Sequence, residues 1–160
     1  MKPMRVACLV TCLGLACGAA PAALGAELTV FLSSASPAES FKRGVGVSLS
    51  TTWFKLVNLE AEFARQPHEI ADGGLVTFTG SALLAPRIGL LRPYAGVGVG
   101  LFRQTAGSRS DTGTVGAFLL GAKLEVGLLL VRGEYRRLDL SGDPLIPIDR
   151  RLSLGLGLAF

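Results

Sequence analysis

The chain ends Arg151-Leu152-Ser153-Leu154-Gly155-Leu156-Gly157-Leu158-Ala159-Phe160. Side chains of an extended strand alternate between two faces. Leu152, Leu154, Leu156, Leu158 and Phe160 therefore share one face, and Arg151, Ser153, Gly155, Gly157 and Ala159 share the other. A strand this apolar, lying last in a soluble sheet, would offer an open edge to other chains. Pairing the last strand with the first closes that edge, and lipid around a closed sheet accommodates the leucines. This segment sets the expectation for everything upstream: alternating strands that close on themselves.

The upstream sequence repeats the pattern, with no helical stripe at i, i+3, i+4, i+7 after Glu27. Alternation predicts strands over 28–33, 43–52, 57–64, 75–84, 93–104, 114–125, 127–138 and 150–160. The clearest is the second, with Val45, Val47 and Leu49 opposite Gly44, Gly46, Ser48 and Ser50. Connections near 53–56, 85–92 and 125–127 are short, the first of them the aromatic Trp53-Phe54-Lys55. Those near 34–42, 65–74, 105–113 and 139–149 are longer and more polar. An even number of strands, with short turns at one end and longer loops at the other, is the pattern of an up-and-down transmembrane β-barrel.

A soluble, ligand-carrying barrel also alternates, but it turns its apolar side inward and a charged side to water. Here the non-apolar side is mostly glycine and serine, which suit the narrow bore of an eight-stranded barrel. Charged residues make up 18% of the chain, below the roughly 25% of soluble domains. Mean hydropathy is +0.48, yet no stretch after residue 26 is long and apolar enough for a spanning helix. The fold class expected is all-β, an eight-stranded antiparallel up-and-down transmembrane β-barrel.

The N-terminus has the order of a secretory signal peptide. Lys2 and Arg5 precede an apolar stretch from Val6 to Ala20, then small residues up to Ala26. Cleavage is expected after Ala26, with Ala22 second, giving a signal peptide at 1–26 and a barrel domain at 27–160. Cys8, Cys12 and Cys17, the three cysteines of the chain, all lie in the first segment. The processed chain would thus have no disulfide, thiolate nucleophile or cysteine metal site. Lipidation at Cys17 would need Leu where Gly14 stands. The net charge of +4 falls by the two lost cations, too weak a balance for nucleic-acid binding.

Arg92-Pro93-Tyr94-Ala95-Gly96-Val97-Gly98-Val99-Gly100 resembles a recurring strand of the OmpA/OmpX-like outer-membrane β-barrel superfamily of Gram-negative bacteria. The particular likeness is to its small "outer membrane protein β-barrel domain" family. Leu130-Val131-Arg132-Gly133-Glu134-Tyr135-Arg136 is similar to that family's penultimate strand. Ser153, Gly155, Leu158 and Phe160 match the C-terminal pattern that the barrel-assembly machinery reads in such proteins. The resemblance spans about residues 27–160. It implies outer-membrane location, passage through periplasmic chaperones and the assembly machinery, and contact with outer-membrane lipids and lipopolysaccharide. A monomer is expected.

Candidate chemistry is concentrated on the face assigned to the bore. Glu60, Glu62, Lys123, Glu125, Arg132, Glu134 and Arg136 fall there, because a charge facing lipid costs about 2–4 kcal/mol near the bilayer midplane. Inside, such charges must pair. A salt-bridged plug is the leading expectation, with a narrow ion path second. Acid–base catalysis by the glutamates is disfavoured, since nearby cations keep them ionised. His68, the single histidine, has Glu69 and Asp72 nearby but Ile70 where outer-membrane lipid hydrolases carry serine. One histidine with loop acids lacks the ligand number for a metal. Gly98-Val99-Gly100 lacks the spacing and following helix of a phosphate loop. Arg103, Arg109 and Arg137 fall at strand ends on the loop side, where they could meet lipopolysaccharide phosphates. No enzyme activity and no cofactor are expected.

Overall fold

The computed structural model describes residues 25–36, 43–53, 56–67, 73–142, 145 and 148–160. Eight strands follow in chain order: β1 (Ala26–Ser36), β2 (Gly44–Trp53), β3 (Val57–Pro67), β4 (Gly73–Leu84), β5 (Leu91–Ala106), β6 (Arg109–Val126), β7 (Leu129–Leu140) and β8 (Arg150–Ala159). Each pairs antiparallel with its neighbour, and β1 pairs with β8 to close the barrel. The closure extends from Ala26 to Phe160. Ala26 donates its N–H to the Phe160 carbonyl (2.7 Å), and Phe160 donates back to the Ala26 carbonyl (2.9 Å). No edge strand is left along the wall, so the backbone groups inside it are satisfied without water.

Alternation decides which residues face which way. Leu154, Leu156, Val99 and Phe78 stand on the outer surface, with Val99 at 75% exposure and Leu156 at 69%. Their strand neighbours point into the bore and are buried, among them Glu60 on β3, Thr79 on β4 and Arg132 on β7. The apolar residues thus form a continuous outer wall, as a barrel dissolved in lipid requires.

The connections correct the sequence reading in two places. Residues 105–113 are not a long loop: β5 runs to Ala106 and β6 restarts at Arg109, joined by Gly107-Ser108. A two-residue hairpin turn needs positive φ, and Gly107 supplies +59°. Gly127-Leu128 closes β6 and β7 in the same way, with Gly127 at +63°. Second, β5 begins at Leu91, so Arg92 belongs to a strand and not to the turn over 85–92. Strands β1, β3 and β7 also extend two or three residues beyond the expected 28–33, 57–64 and 127–138. The longer reach follows from the ladder: once a neighbouring strand offers N–H and C=O groups, polar residues such as Gln66 and Thr105 continue the pairing.

Candidate functional site

Every strand except β2 and β4 sends at least one charged side chain into the bore. β1 contributes Glu27, β3 Glu60 and Glu62, and β5 Arg92. β6 contributes Lys123 and Glu125, β7 Arg132, Glu134 and Arg136, and β8 Arg151. Five carboxylates therefore face five cations, all buried. β2 and β4 contribute hydroxyls instead: Ser48, Ser50, Thr77, Thr79 and Ser81. The glycines of β5 make room for the neighbouring strand β4. A Cβ at Gly98 would lie 2.3 Å from Ser81 Oγ.

The charges form two groups, each electrically neutral. Near the end where Ala26 and Phe160 pair, Arg92 Nη1 donates to Glu27 (2.8 Å) and Glu125 (2.6 Å). Lys123 Nζ also donates to Glu27, which in turn accepts from Ser50 Oγ (2.9 Å). Arg92 Nη2 reaches Asn58 Oδ1 (3.2 Å) and Thr52 Oγ1 (3.3 Å). From the β4–β5 connection, the exposed Arg87 bonds Glu125 (2.6 Å).

The second group lies higher in the bore. Arg136 donates through Nε to Glu134 (3.0 Å) and through Nη2 to Glu62 (2.8 Å) and Glu60 (3.2 Å). Arg132 binds Glu60 and Glu134 and donates to Ser48 Oγ (3.0 Å). Arg151 pairs with Glu62 and lies over the Phe31 ring, 5.4 Å from its centroid. Tyr94 joins the groups. Its hydroxyl accepts from Arg132 Nε (2.8 Å) and donates to Glu134 (2.9 Å). Lys123 and Arg132 approach the same ring at 5.5 and 5.3 Å. Toward the loop end the filling turns apolar, with Leu75, Phe102, Val115 and Leu138 in one buried cluster.

Glu60, Glu62, Lys123, Glu125, Arg132, Glu134 and Arg136 all lie on the bore face; Glu60, Glu62, Arg132, Glu134 and Arg136 bond one another, whereas Lys123 and Glu125 bond Glu27 and Arg92 instead. Sequence reasoning left out Glu27, Arg92 and Arg151 as partners, and Tyr94 as the link. Arg151 had the available signal: it alternates with Leu152 on the polar face of β8. Ser153 and Gly155 also face the bore, whereas Leu158 and Phe160 face outward, Phe160 at 70% exposure. Arg103, Arg109 and Arg137 are exposed at the loop end, as are Arg43, Arg65 and Arg150. His68, Glu69 and Asp72 lie outside the described residues, as do residues 1–24 with the three cysteines. Among the described residues no group of three His, Cys, Asp or Glu could hold a metal ion.

A small closed barrel with an apolar outer wall and a polar bore defines a class, and solved structures share it. Neisserial surface protein A superposes with a TM-score of 0.63 at 17% identity, covering 85% of this chain and 94% of that one. The N-terminal β-barrel domain of Pseudomonas aeruginosa OprF gives 0.59 at 18% identity, over 85% and 97%. The Yersinia pestis outer membrane protein Ail, in a phospholipid bilayer nanodisc, gives 0.58 at 16% identity, over 85% and 99%. The fold is that of eight-stranded outer-membrane barrels. No protein-family model and no curated protein matches the chain in sequence.

Proposed function

We propose that this chain is an integral outer-membrane barrel of a Gram-negative bacterium, with a structural or surface-interaction role and a bore plugged by its paired charges. One observation carries this reading: five acids and five bases are buried against each other inside a wall whose outer face is apolar. Residues 1–26 act as a cleaved signal peptide. Ser153, Gly155, Leu158 and Phe160 then serve as the signal that the assembly machinery reads after periplasmic chaperones deliver the chain. The end with both termini faces the periplasm, and the loop end, with its exposed arginines, faces lipopolysaccharide. The barrel works as a monomer without a cofactor.

A narrow ion path is the second reading, favoured by the polar lining that extends from Glu27 to Arg151. The fold also occurs in the outer membrane enzyme PagL. The absence of serine two residues after His68 supports a non-enzymatic role here. Unchanged lipid A on overexpression is the expected result, and an altered acylation pattern would replace this reading with a lipid-modifying one.

Membrane fractionation combined with gel mobility before and after boiling tests the main proposal. The chain should partition with outer membranes and migrate faster unboiled, because a closed barrel resists detergent. Recovery in the soluble periplasm without a boiling-dependent shift would overturn it.

A further inference from the structure

The β5–β6 hairpin outreaches its neighbour on one side only. β4 accompanies β5 as far as the Gly73–Ala106 pair, and β5 accompanies β6 to the Ala106–Arg109 pair. β7 stops earlier, with Leu140 opposite Val115 as the last pair of its ladder with β6. Among the described residues, Arg109 to Thr114 therefore have a strand on their β5 side and none on the other. Gly142, at φ +97°, turns the chain just past the end of β7, and the return to β8 buries Ile148 in the apolar cluster of the bore. A bared edge of this kind recruits strands of other polypeptides.

The N–H and C=O groups of alternate residues point to the same side of a strand. Thr114 turns both toward Ser141: its N–H donates to Ser141 Oγ (3.2 Å), and its carbonyl accepts from the Ser141 N–H (2.9 Å). Thr112 and Ser110 therefore present theirs to the same open side. Thr112 does not leave its N–H free, but donates it to Oδ1 of the adjacent Asp111 (2.9 Å). Gly113, between the two capped residues, makes the arrangement fit, since a Cβ there would lie 2.9 Å from the Ser141 carbonyl oxygen. Of the three N–H groups along the open side, those of Thr112 and Thr114 are thus held by side chains. Ser110, Thr112 and Thr114 are exposed and polar on the outward face, so this stretch stands clear of the apolar wall and its edge meets water.

We propose that Asp111 and Ser141 are edge caps, whose side chains keep an extended polypeptide from adding to β6 as a further strand. An incoming strand pairs through the N–H and C=O groups of alternate residues. With the Thr112 N–H held by a carboxylate and Thr114 enclosed by Ser141, it must break two bonds before it makes its own. The charge on Asp111 strengthens the first of them. Charged side chains blunt many sheet edges by repulsion, but the bond to Thr112 gives Asp111 a role that its charge alone does not. With the loop end facing outward, the strands kept off are those of polypeptides outside the cell.

The test uses the folded full-length barrel in detergent and a fluorescently labelled, uncharged probe strand, acetyl-Thr-Val-Thr-Val-Thr-amide, read by anisotropy. The wild type should bind it weakly. Asp111→Ala should bind about tenfold more tightly or better, because a hydrogen bond to a charged group no longer competes for the Thr112 N–H. Asp111→Asn, which keeps an Oδ1 acceptor and loses the charge, should stay with the wild type. Ser141→Ala gives a second, independent reading, with a smaller gain because the Ser141 N–H still covers the Thr114 carbonyl. A fully N-methylated probe, which has no main-chain N–H to pair, should show no gain with any variant. Equal affinity of the wild type and Asp111→Ala would overturn the proposal. So would a gain shared by Asp111→Asn, which would assign the effect to charge, or a gain kept by the N-methylated probe, which would place binding away from the edge. The boiling-dependent shift of each variant reports the barrel separately, so affinities are compared between closed barrels.

Discussion

Arg136 serves three carboxylates at once, Glu60, Glu62 and Glu134, whereas Lys123 serves only Glu27, which keeps Arg92 when Lys123 is lost. Removing one partner of a buried pair leaves an uncompensated charge and costs about 3–5 kcal/mol. Arg136→Met should fall in that range. Lys123→Met should cost less, about 1.5–3 kcal/mol, the value of hydrogen bonds to a charged group. Urea unfolding in lipid vesicles, followed through the single tryptophan, Trp53, would check the order. A cost for Lys123→Met equal to or above that of Arg136→Met would contradict the network drawn here. The same residues show what the sequence could and could not reveal. Period-two alternation assigns Glu60, Arg132 and Arg136 to one face without any structure. It cannot say that Glu27 meets Arg92 and Lys123, because those contacts cross 65 and 96 residues of chain. Arg92 was further hidden by Pro93, a residue that reads as a turn but here sits within β5.

Strands in this barrel are held to register by close approaches as much as by apolar pattern. A Cβ on Gly100 would lie 2.0 Å from the Phe78 carbonyl oxygen, while one on Gly80 would meet nothing within 4 Å. Gly100→Ala should therefore destabilise by about 1–3 kcal/mol, the usual cost of overpacking. Gly80→Ala, on the paired strand of the same sheet, should be close to neutral. Equal effects in thermal unfolding would remove the close-approach argument. Depth along β8 gives a second element-scale test. Leu156 lies mid-strand on the outer face and Leu152 next to Arg150 at the loop end. Arginine should cost about 2–4 kcal/mol at Leu156 and about 0–1 at Leu152. A flat profile in vesicle unfolding would mean that the outer wall is not in hydrocarbon. At this scale the sequence was least reliable at strand ends. Thr105 to Gly113 is polar enough to read as loop, but Gly107-Ser108 is also a two-residue hairpin signal. Pairing with β4 and β5 decided in favour of the hairpin.

The molecule as a whole sets a bore filled by paired charges against an outer wall of apolar side chains. Long arginines from β7 and β8 cross to glutamates on β3. Neutral pairing explains how ten buried charges persist without bulk solvent, because each is matched within hydrogen-bonding distance. The consequence for transport follows from the same packing. A sealed network should pass no steady current, so the wild-type barrel in a planar bilayer should remain at baseline conductance. Shortening two of the bridging side chains, in Arg132→Ala with Arg136→Ala, removes two of the cations that span the bore and leaves Glu60 and Glu134 exposed to entering ions. If that variant still shows a boiling-dependent shift, it should give discrete, cation-selective openings. Conductance by the wild type that survives Glu62→Gln and Arg132→Gln unchanged would mean that ions bypass the network, and the plug would have to be abandoned.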